Sequence, residues 1–409
     1  MRARDRRSGE GRDAGGEHRA GGPYRWVVLA VATLAQATTG FAFLGVGSLA
    51  GFFQEAFSLS GAQTGLVVTA VGLVPLFALL PVGRLLDRHG ERWIISFGAL
   101  LLAAGAAAAA WAPSYPLFLS LLLVGGAGYA TSQPGGSKAV ALWFDADRRG
   151  VAMGIRQTGL PLGGAAAAAA LPALAASAGW RVALGTAALV VALGAIVFGL
   201  AYRPVDRVPG ERYAFLPQLR QLIGSGVLRP ALWAGIALVS AQFCLISYLM
   251  LFLRDRHGMP LHEGAWFLFA AQLFGVVGRV VLAARSDRLG PGRRMRLVKQ
   301  SLLLAAGLTF VLPLLPSEEG IPVLVLVAVL GFFAFGWYGP WVVHVAEVAP
   351  SGAMGLTLGL AMTTNQLGIV IAPPLFGVLL DLSDMYRVAW WALATALMLA
   401  ALRVGLGTR

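Results

Sequence analysis

Apolar residues run along this chain in long blocks rather than in stripes. The blocks cover approximately Trp26–Phe52, Ala62–Leu85, Trp93–Ala112, Leu117–Phe144, Val151–Ala175, Trp180–Tyr202, Pro230–Leu253, Glu263–Ala284, Leu297–Leu315, Ile321–Val345, Gly352–Leu380 and Val388–Val404. At 1.5 Å of rise per residue, a helix of about 20 residues crosses the ~30 Å hydrocarbon core of a bilayer. A membrane β-barrel would instead show alternating segments of about ten residues. The pattern predicts an all-α membrane protein with about twelve transmembrane helices. Several blocks, such as Ala103–Ala110 and Gly163–Ala170, are rich in Gly and Ala. Small residues let membrane helices pack closely.

The polar segments between the blocks are charged unequally. Arg2, Arg4, Arg6, Arg7, Arg12, Arg19 and Arg25 precede the first block, and Arg84, Arg88 and Arg92 follow the second. Arg148 and Arg149 follow the fourth, and Arg203, Arg207, Arg212, Arg220 and Arg229 follow the sixth. Arg285, Arg288, Arg293, Arg294, Arg296 and Lys299 follow the eighth. The alternate loops hold only Arg181, Arg254, Arg256 and Arg387. Lys and Arg collect on the cytoplasmic side, so both termini and the central loop are expected there, in a plasma (inner) membrane. Residues 1–23 are rich in Arg, Gly and acidic residues and lack the apolar core of a signal peptide, and so read as a disordered cytoplasmic tail. Residues 203–229 form the longest internal polar segment and carry Pro204, Pro209, Gly210 and Pro217. That composition predicts a linker between two six-helix bundles, 24–202 and 230–409, the second ending in a short tail.

The two halves repeat each other. Asp87-Arg88-His89-Gly90 after the second block returns as Asp287-Arg288-Leu289-Gly290 after the eighth. Gly150-Val-Ala-Met-Gly154 opens the fifth block, and Gly352-Ala-Met-Gly355 opens the eleventh. Two structural repeats of one membrane bundle predict a site between the halves.

Composition narrows the function classes. Of 409 residues, 57% are hydrophobic and 12% charged, the latter about half the share of a soluble domain. The net charge of +13 lies in loops between apolar blocks rather than on one basic module, so no nucleic-acid partner is expected. The lone cysteine, Cys244, sits inside an apolar block, and no Cys/His spacing points to a metal or cofactor. His18, His89, His257, His262 and His344 are scattered, with no nucleophile–base arrangement, so an enzyme is not expected.

The acidic residues fall in loops, at helix ends or in the tail. Carboxylates inside the membrane are common cation and proton sites, so their absence argues against a cation substrate and simple carboxylate-based proton coupling. By contrast, Lys138, Arg156 and Arg279 lie within the fourth, fifth and eighth blocks. A charge at a helix centre costs at least ~2.5–3.5 kcal/mol and faces water or a partner. The partner is either a substrate anion or, by snorkelling, the headgroup layer. An arginine's planar fork matches a carboxylate or nitrate. Polar and aromatic side chains to complete an anion site are Gln36, Tyr129, Gln133, Gln242, Tyr248, Asn365, Trp337 and Trp341; helix packing is the alternative role for each.

Gly83-Arg-Leu-Leu-Asp87-Arg88-His-Gly90-Glu91-Arg92 resembles the signature loop of the major facilitator superfamily, Gly-x-x-x-Asp-Arg-x-Gly-Arg-Arg. Ala283-Ala-Arg285-Ser286-Asp287-Arg288-Leu-Gly290 resembles its second-half counterpart. The resemblance implies two pseudo-symmetric six-helix bundles, with the first, fourth, seventh and tenth helices lining a cavity. It also implies a conformational switch built from Gly83, Asp87, Arg88, Gly90 and Arg92, with Asp287, Arg288 and Gly290 opposite. An aspartate at a helix end can face the positive end of a neighbouring helix, a contact with two packings. Glu91 and Ala283 depart from the motif, which implies a weaker latch. Gly278-Arg279 resembles the eighth helix of nitrate/nitrite porters, oxalate:formate antiporters and monocarboxylate transporters, where the arginine binds the anion. That resemblance makes Arg279 the anion clamp, with Arg156 as a second contact. Leu79 stands where nitrate porters place another arginine, and Gly275 where monocarboxylate transporters place an aspartate. Gly159-Leu-Pro161-Leu-Gly163-Gly164 partly resembles the fifth-helix motif of drug antiporters, interrupted by Leu160. The expected function is secondary active transport of a small organic or inorganic anion by alternating access, by a monomer in the lipid bilayer. Multidrug or hydrophobic-solute efflux is the alternative, and a non-transporting sensor a further one.

Overall fold

The computed structural model describes residues 22–205, 215–290, 292–316, 320–350 and 353–406; most of the tail and the centre of the linker lie outside the described residues. All regular structure among the described residues is helical. Twelve helical spans are long and apolar enough to cross a membrane. In the first half they are Arg25–Ser48, Gly61–Leu79, Glu91–Ala110, Tyr115–Trp143, Val151–Ala178 and Trp180–Ala201. In the second half they are Arg229–His257, Leu261–Leu289, Arg294–Leu314, Gly320–Glu347, Met354–Ser383 and Tyr386–Val404. They follow the apolar blocks, with the largest shifts at the ends. The helix of the second span runs on to His89, so the switch motif lies on its last turns.

Local chemistry sets the boundaries. The second span opens on a capping box in which Ser60 and Gln63 satisfy each other's backbone N–H groups. It stops at Gly90, with φ +82° and ψ 163°, and the eighth span stops at Gly290, with φ +74° and ψ 177°. Only glycine occupies that region freely, which explains why both copies of the motif end on it. Within the stretch read as a linker, Phe215–Gly224 is helical and buries Leu222.

The fourth and tenth spans, which correspond in the repeat, are each broken near the middle. The fourth divides into Tyr115–Tyr129 and Ser132–Trp143, and the tenth into Gly320–Gly336 and Tyr338–Glu347. Irregular backbone at membrane depth is tolerated where it lines a cavity or is buried in protein.

Two seams join the halves: the second span lies against the eleventh, and the fifth against the eighth. At the start of the second span the contact is tight. The Asp381 carboxylate accepts from the backbone N–H of Gly61 at 2.6 Å and of Ala62 at 2.9 Å. The hydroxyl of Thr69 donates to the carbonyl of Val370 at 2.7 Å. Gly65 packs on Pro373 and Pro374 so closely that a β-carbon would collide with their backbone. Nearby, Arg254 pairs with Glu55 at 2.9 Å and donates to Gln54. At the other end, near the repeated loops, Gly154 and Gly355 face open space. The halves thus meet closely at the end where the second span begins, while at the end with the charged motifs Gly154 and Gly355 touch nothing.

Candidate functional site

A cavity of about 90 Å³ lies between the halves. Its wall includes Phe43, Leu44, Leu79, Tyr129, Gln133, Leu160 and Pro161 from the first half. The second half supplies Val239, Gln242, Phe243, Ile246, Arg279, Phe335, Tyr338, Met362, Asn365, Gln366 and Ile369. The broken fourth span delivers Tyr129 and Gln133 from either side of its break, and the broken tenth delivers Phe335 and Tyr338. The Phe43 and Tyr129 rings stack at 3.9 Å between centroids, and Phe243 meets Phe43 at 5.6 Å.

Among the lining residues, Arg279 alone carries a formal charge at neutral pH. Its Nε donates to the carbonyl of Phe335 at 3.1 Å, and its Nη1 to the carbonyl of Gln157 in the other half at 3.1 Å. The first acceptor is available because the tenth span is interrupted just after Gly336. The guanidinium carbon lies 5.1 Å from the centre of the Tyr338 ring, a favourable cation–π distance. Among the described residues, Nη2 has no protein acceptor. The fork is therefore oriented by two carbonyls and a ring, with one arm left over.

Arg156 is differently placed. It is fully buried. Its Nη1 donates to Ser137 Oγ at 3.0 Å; its Nη2 donates to Gln36 Oε1 at 2.6 Å and to the carbonyls of Ser132 and Gln133 at 2.9 and 3.2 Å. The guanidinium lies over Gly136, where a β-carbon would intrude on it. Arg156 and Gln36, expected as cavity contacts, are thus paired with each other and are not among the residues lining this cavity. Residues around the break in the fourth span supply the acceptors that hold the Arg156 guanidinium.

Three other expected contacts also lie off the cavity wall. Tyr248 is fully buried at the closed end, its hydroxyl 2.8 Å from the carbonyl oxygens of both Gly61 and Pro373. Trp341 donates its indole N–H to the carbonyl of Ala231 at 2.7 Å, tying the tenth span to the seventh. Trp337 packs edge-on against Trp341 at 5.3 Å, and both rings are fully buried. Of the ten side chains picked from the sequence, Arg279, Tyr129, Gln133, Gln242 and Asn365 are brought together on the wall.

The acidic residues also need correcting. Glu91 is the first residue of the third span, is 3% exposed and lies 3.0 Å from Lys138 Nζ. Lys138 therefore faces a carboxylate, and snorkelling is not needed to explain it. Tyr202 also reaches Glu91, at 3.5 Å, and burial together with that carboxylate raises its phenol above the ordinary range. Asp381, read as a loop residue, lies within the eleventh helix and caps the second span across the halves.

In the switch loops, the side chains of Gly83 and Asp87 lie outside the described residues. Arg92 Nε donates to the carbonyl of Gly199 at 2.6 Å, within its own half. Arg294 pairs with Asp287 at 3.0 Å and with Glu347 at 2.7 Å, and Arg288 is exposed. Asp287 thus meets an arginine of its own bundle, not a helix end across the interface.

Sequence reasoning missed Gln272. It is fully buried on the eighth span, two turns before Arg279, and packs against Gly164 across the seam. Its signal was an amide alone in an apolar block.

The family model of the Major Facilitator Superfamily matches residues 32–373. The chain belongs to that superfamily. An uncharacterized MFS-type transporter of Mycobacterium tuberculosis is 30% identical over 90% of this chain and 81% of its own length. The gentisate transporter of Corynebacterium glutamicum is 24% identical, covering 89% of this chain and 83% of its own. The 3-(3-hydroxy-phenyl)propionate transporter of Escherichia coli is 28% identical, covering 88% of each chain. Among solved structures, a bacterial homolog of the human lysosomal transporter Spinster superposes with a TM-score of 0.77 at 20% identity, covering 95% of this chain and 97% of that one. The two bundles and their central cavity are therefore those of a major facilitator transporter, a multi-pass membrane protein.

Proposed function

We propose that this major facilitator transporter moves a small organic anion by alternating access, with Arg279 as the anion contact. The observation that carries the reading is the lone charge on the cavity wall: Arg279 is held in place by protein acceptors on Nε and Nη1, with Nη2 left over. A cation kept at membrane depth calls for a counter-charge, and a carboxylate fits a planar fork. Gentisate and 3-(3-hydroxyphenyl)propionate, after which two relatives are named, are organic anions. With the basic loops in the cytoplasm, the end with the charged motifs faces the cytoplasm and the closely packed end lies outside. The switch role of Asp87 and Asp287 belongs to the same reading.

Efflux of hydrophobic drugs is the second reading, favoured by Leu160 and Pro161 of the partial fifth-helix motif, which both lie on the wall. Size counts against it. A buried water needs roughly 10–15 Å³ of such volume, so about 90 Å³ holds roughly six to nine water-equivalents. That suits a small acid better than a bulky drug.

The test is thermal stability of the purified protein against mono- and dicarboxylates, nitrate, sugars and cationic dyes, with Arg279→Gln in parallel. A ligand at about 100 times its dissociation constant adds about 2.7 kcal/mol. Stabilisation by a carboxylate that vanishes in Arg279→Gln is expected. Stabilisation by dyes alone, equal in both proteins, would overturn the reading in favour of efflux.

A further inference from the structure

The wall has polar groups that an anion on Arg279 leaves unused. Gln242 on the seventh span and Asn365 and Gln366 on the eleventh are 7%, 6% and 8% exposed, and all three line the cavity. Each has a buried polar atom without a hydrogen-bond partner: Gln242 Nε2, Asn365 Oδ1 and Gln366 Oε1. Buried polar atoms are nearly always paired, and leaving one unpaired costs about as much as a lost hydrogen bond. Gln133 on the fourth span has a fourth such atom, Oε1, while Gln242, Asn365 and Gln366 cluster on the seventh and eleventh spans and call for a common partner.

Their position relative to Arg279 decides what that partner is. Arg279 lies at the seam of the fifth and eighth spans, where it reaches Gln157. Asn365 and Gln366 lie on the eleventh span, which forms the opposite seam with the second. Between them, apart from the amide of Gln133, the wall is apolar and aromatic, with Phe43 stacked on Tyr129 and Phe243 edge-on to Phe43. The cavity is therefore cationic at one seam, ring-faced in the middle and amide-lined at the other.

We propose that Gln242, Asn365 and Gln366 form a second, neutral subsite, which selects a monoanion bearing a hydroxyl at the far end of a flat apolar body. This rests on the reading of Arg279 as the anion contact. A hydroxyl both donates and accepts, so it satisfies an amide N–H from Gln242 and a carbonyl oxygen of Asn365 or Gln366 at once. The Asn and Gln ends exchange by rotation, so the subsite offers both roles in either orientation. A second carboxylate fits badly, because the lining residues hold no second cation for it and a buried unpaired charge is costly. Aromatic faces suit a planar ring in offset or edge-on contact.

The experiment is calorimetric binding of benzoate, 3-hydroxybenzoate and isophthalate to the full-length protein in detergent, for wild type, Asn365→Leu, Gln366→Leu and Arg279→Gln. In wild type, 3-hydroxybenzoate is expected to bind about tenfold more tightly than benzoate, the worth of one well-made hydrogen bond to a buried group, and isophthalate more weakly than either. Asn365→Leu brings the hydroxybenzoate-to-benzoate ratio towards one, and Gln366→Leu gives the same readout should Asn365→Leu not fold. Arg279→Gln weakens both monoanions while preserving the ratio. A wild-type ratio near one, with binding still dependent on Arg279, overturns the subsite and leaves the anion contact standing. Absence of binding by all three acids overturns both.

Discussion

Asp381→Asn is expected to loosen the closed end of the transporter. The carboxylate of Asp381 accepts two backbone N–H groups, from Gly61 at 2.6 Å and Ala62 at 2.9 Å, at the first turn of a helix belonging to the other half. A negative charge at a helix N-terminus is favourable, and hydrogen bonds to charged groups contribute about 1.5–3 kcal/mol when buried. Asp381 is exposed, so solvent screens the charge, and asparagine keeps one acceptor. The net loss is therefore about 1 kcal/mol, a roughly fivefold shift away from closure. The assay uses the chain's own silence to thiol reagents, because its lone cysteine, Cys244, is 1% exposed. Val68, 3% exposed, lies beside Gly47 and Ile246 where the first, second and seventh spans meet. In Val68→Cys, the alkylation rate by a water-soluble maleimide reports opening at that end. Adding Asp381→Asn should raise the rate about fivefold, following the same ~1 kcal/mol. A rate that is unchanged or lower, in a protein of normal thermal stability, refutes the latch.

Two further substitutions test buried charge. Arg156→Lys replaces a planar fork that reaches Gln36, Ser132, Gln133 and Ser137 with a point charge unable to satisfy them all, and should lower stability by about 2–3 kcal/mol in thermal unfolding; a melting curve matching wild type would contradict that geometry. Glu91→Gln removes the carboxylate facing Lys138 and, because Lys138 is 30% exposed, should cost only about 1 kcal/mol. Adding Lys138→Met should recover most of that loss in a double-mutant cycle, and strictly additive effects would argue against the pair.

Much of the architecture was legible in the sequence because a bilayer leaves few options. Apolar blocks of spanning length fold as helices, and repeated loops at matching places imply repeated bundles. The place of Arg279 on the cavity wall was legible because its spacing from Ser286-Asp287-Arg288 matched a family pattern. The environment of Arg156 was not, since it depends on a break in the fourth span that brings the carbonyls of Ser132 and Gln133 within reach. Hydropathy reports that the span is long enough, not where its backbone breaks. Glu91 was misread for a related reason. It follows Gly90, which ends one helix and begins the next without an intervening loop, so a residue that looks like part of a polar segment enters a packed interface. Tyr248, Trp337 and Trp341 lie on spans expected to line the cavity, but a span presents only part of its circumference to the cavity. Helical periodicity cannot choose that face where the whole surface is apolar.

The repeat that is clearest in the sequence is not the one that joins the halves here. Asp287 pairs with Arg294, and Arg294 also holds Glu347, so this copy of the motif braces the eighth, ninth and tenth spans within one bundle. The tightest polar contact between bundles is made at the opposite end, where Asp381 of the eleventh span caps the second, and close approaches at glycine add to it. Gly377 meets the backbone of Gly61, and Gly164 meets Gln272. Those two glycines lie on the fifth and eleventh spans, the same pair whose other ends carry Gly154 and Gly355, facing open space. The fifth and eleventh spans thus each carry an engaged glycine as well as a free one. A small residue that touches nothing adds flexibility to a helix and no contact, at a cost of roughly 0.5–1 kcal/mol relative to alanine. That cost is offset if the halves approach each other there in the alternate state, as closely as they do at Gly377 here. On the alternating-access reading, Gly154 and Gly355 are the contact surfaces of the state in which the motif end closes. The same movement would bring the charged loops together, giving Asp87 and Asp287 helix ends to face across the interface, which Asp287 lacks in the present state.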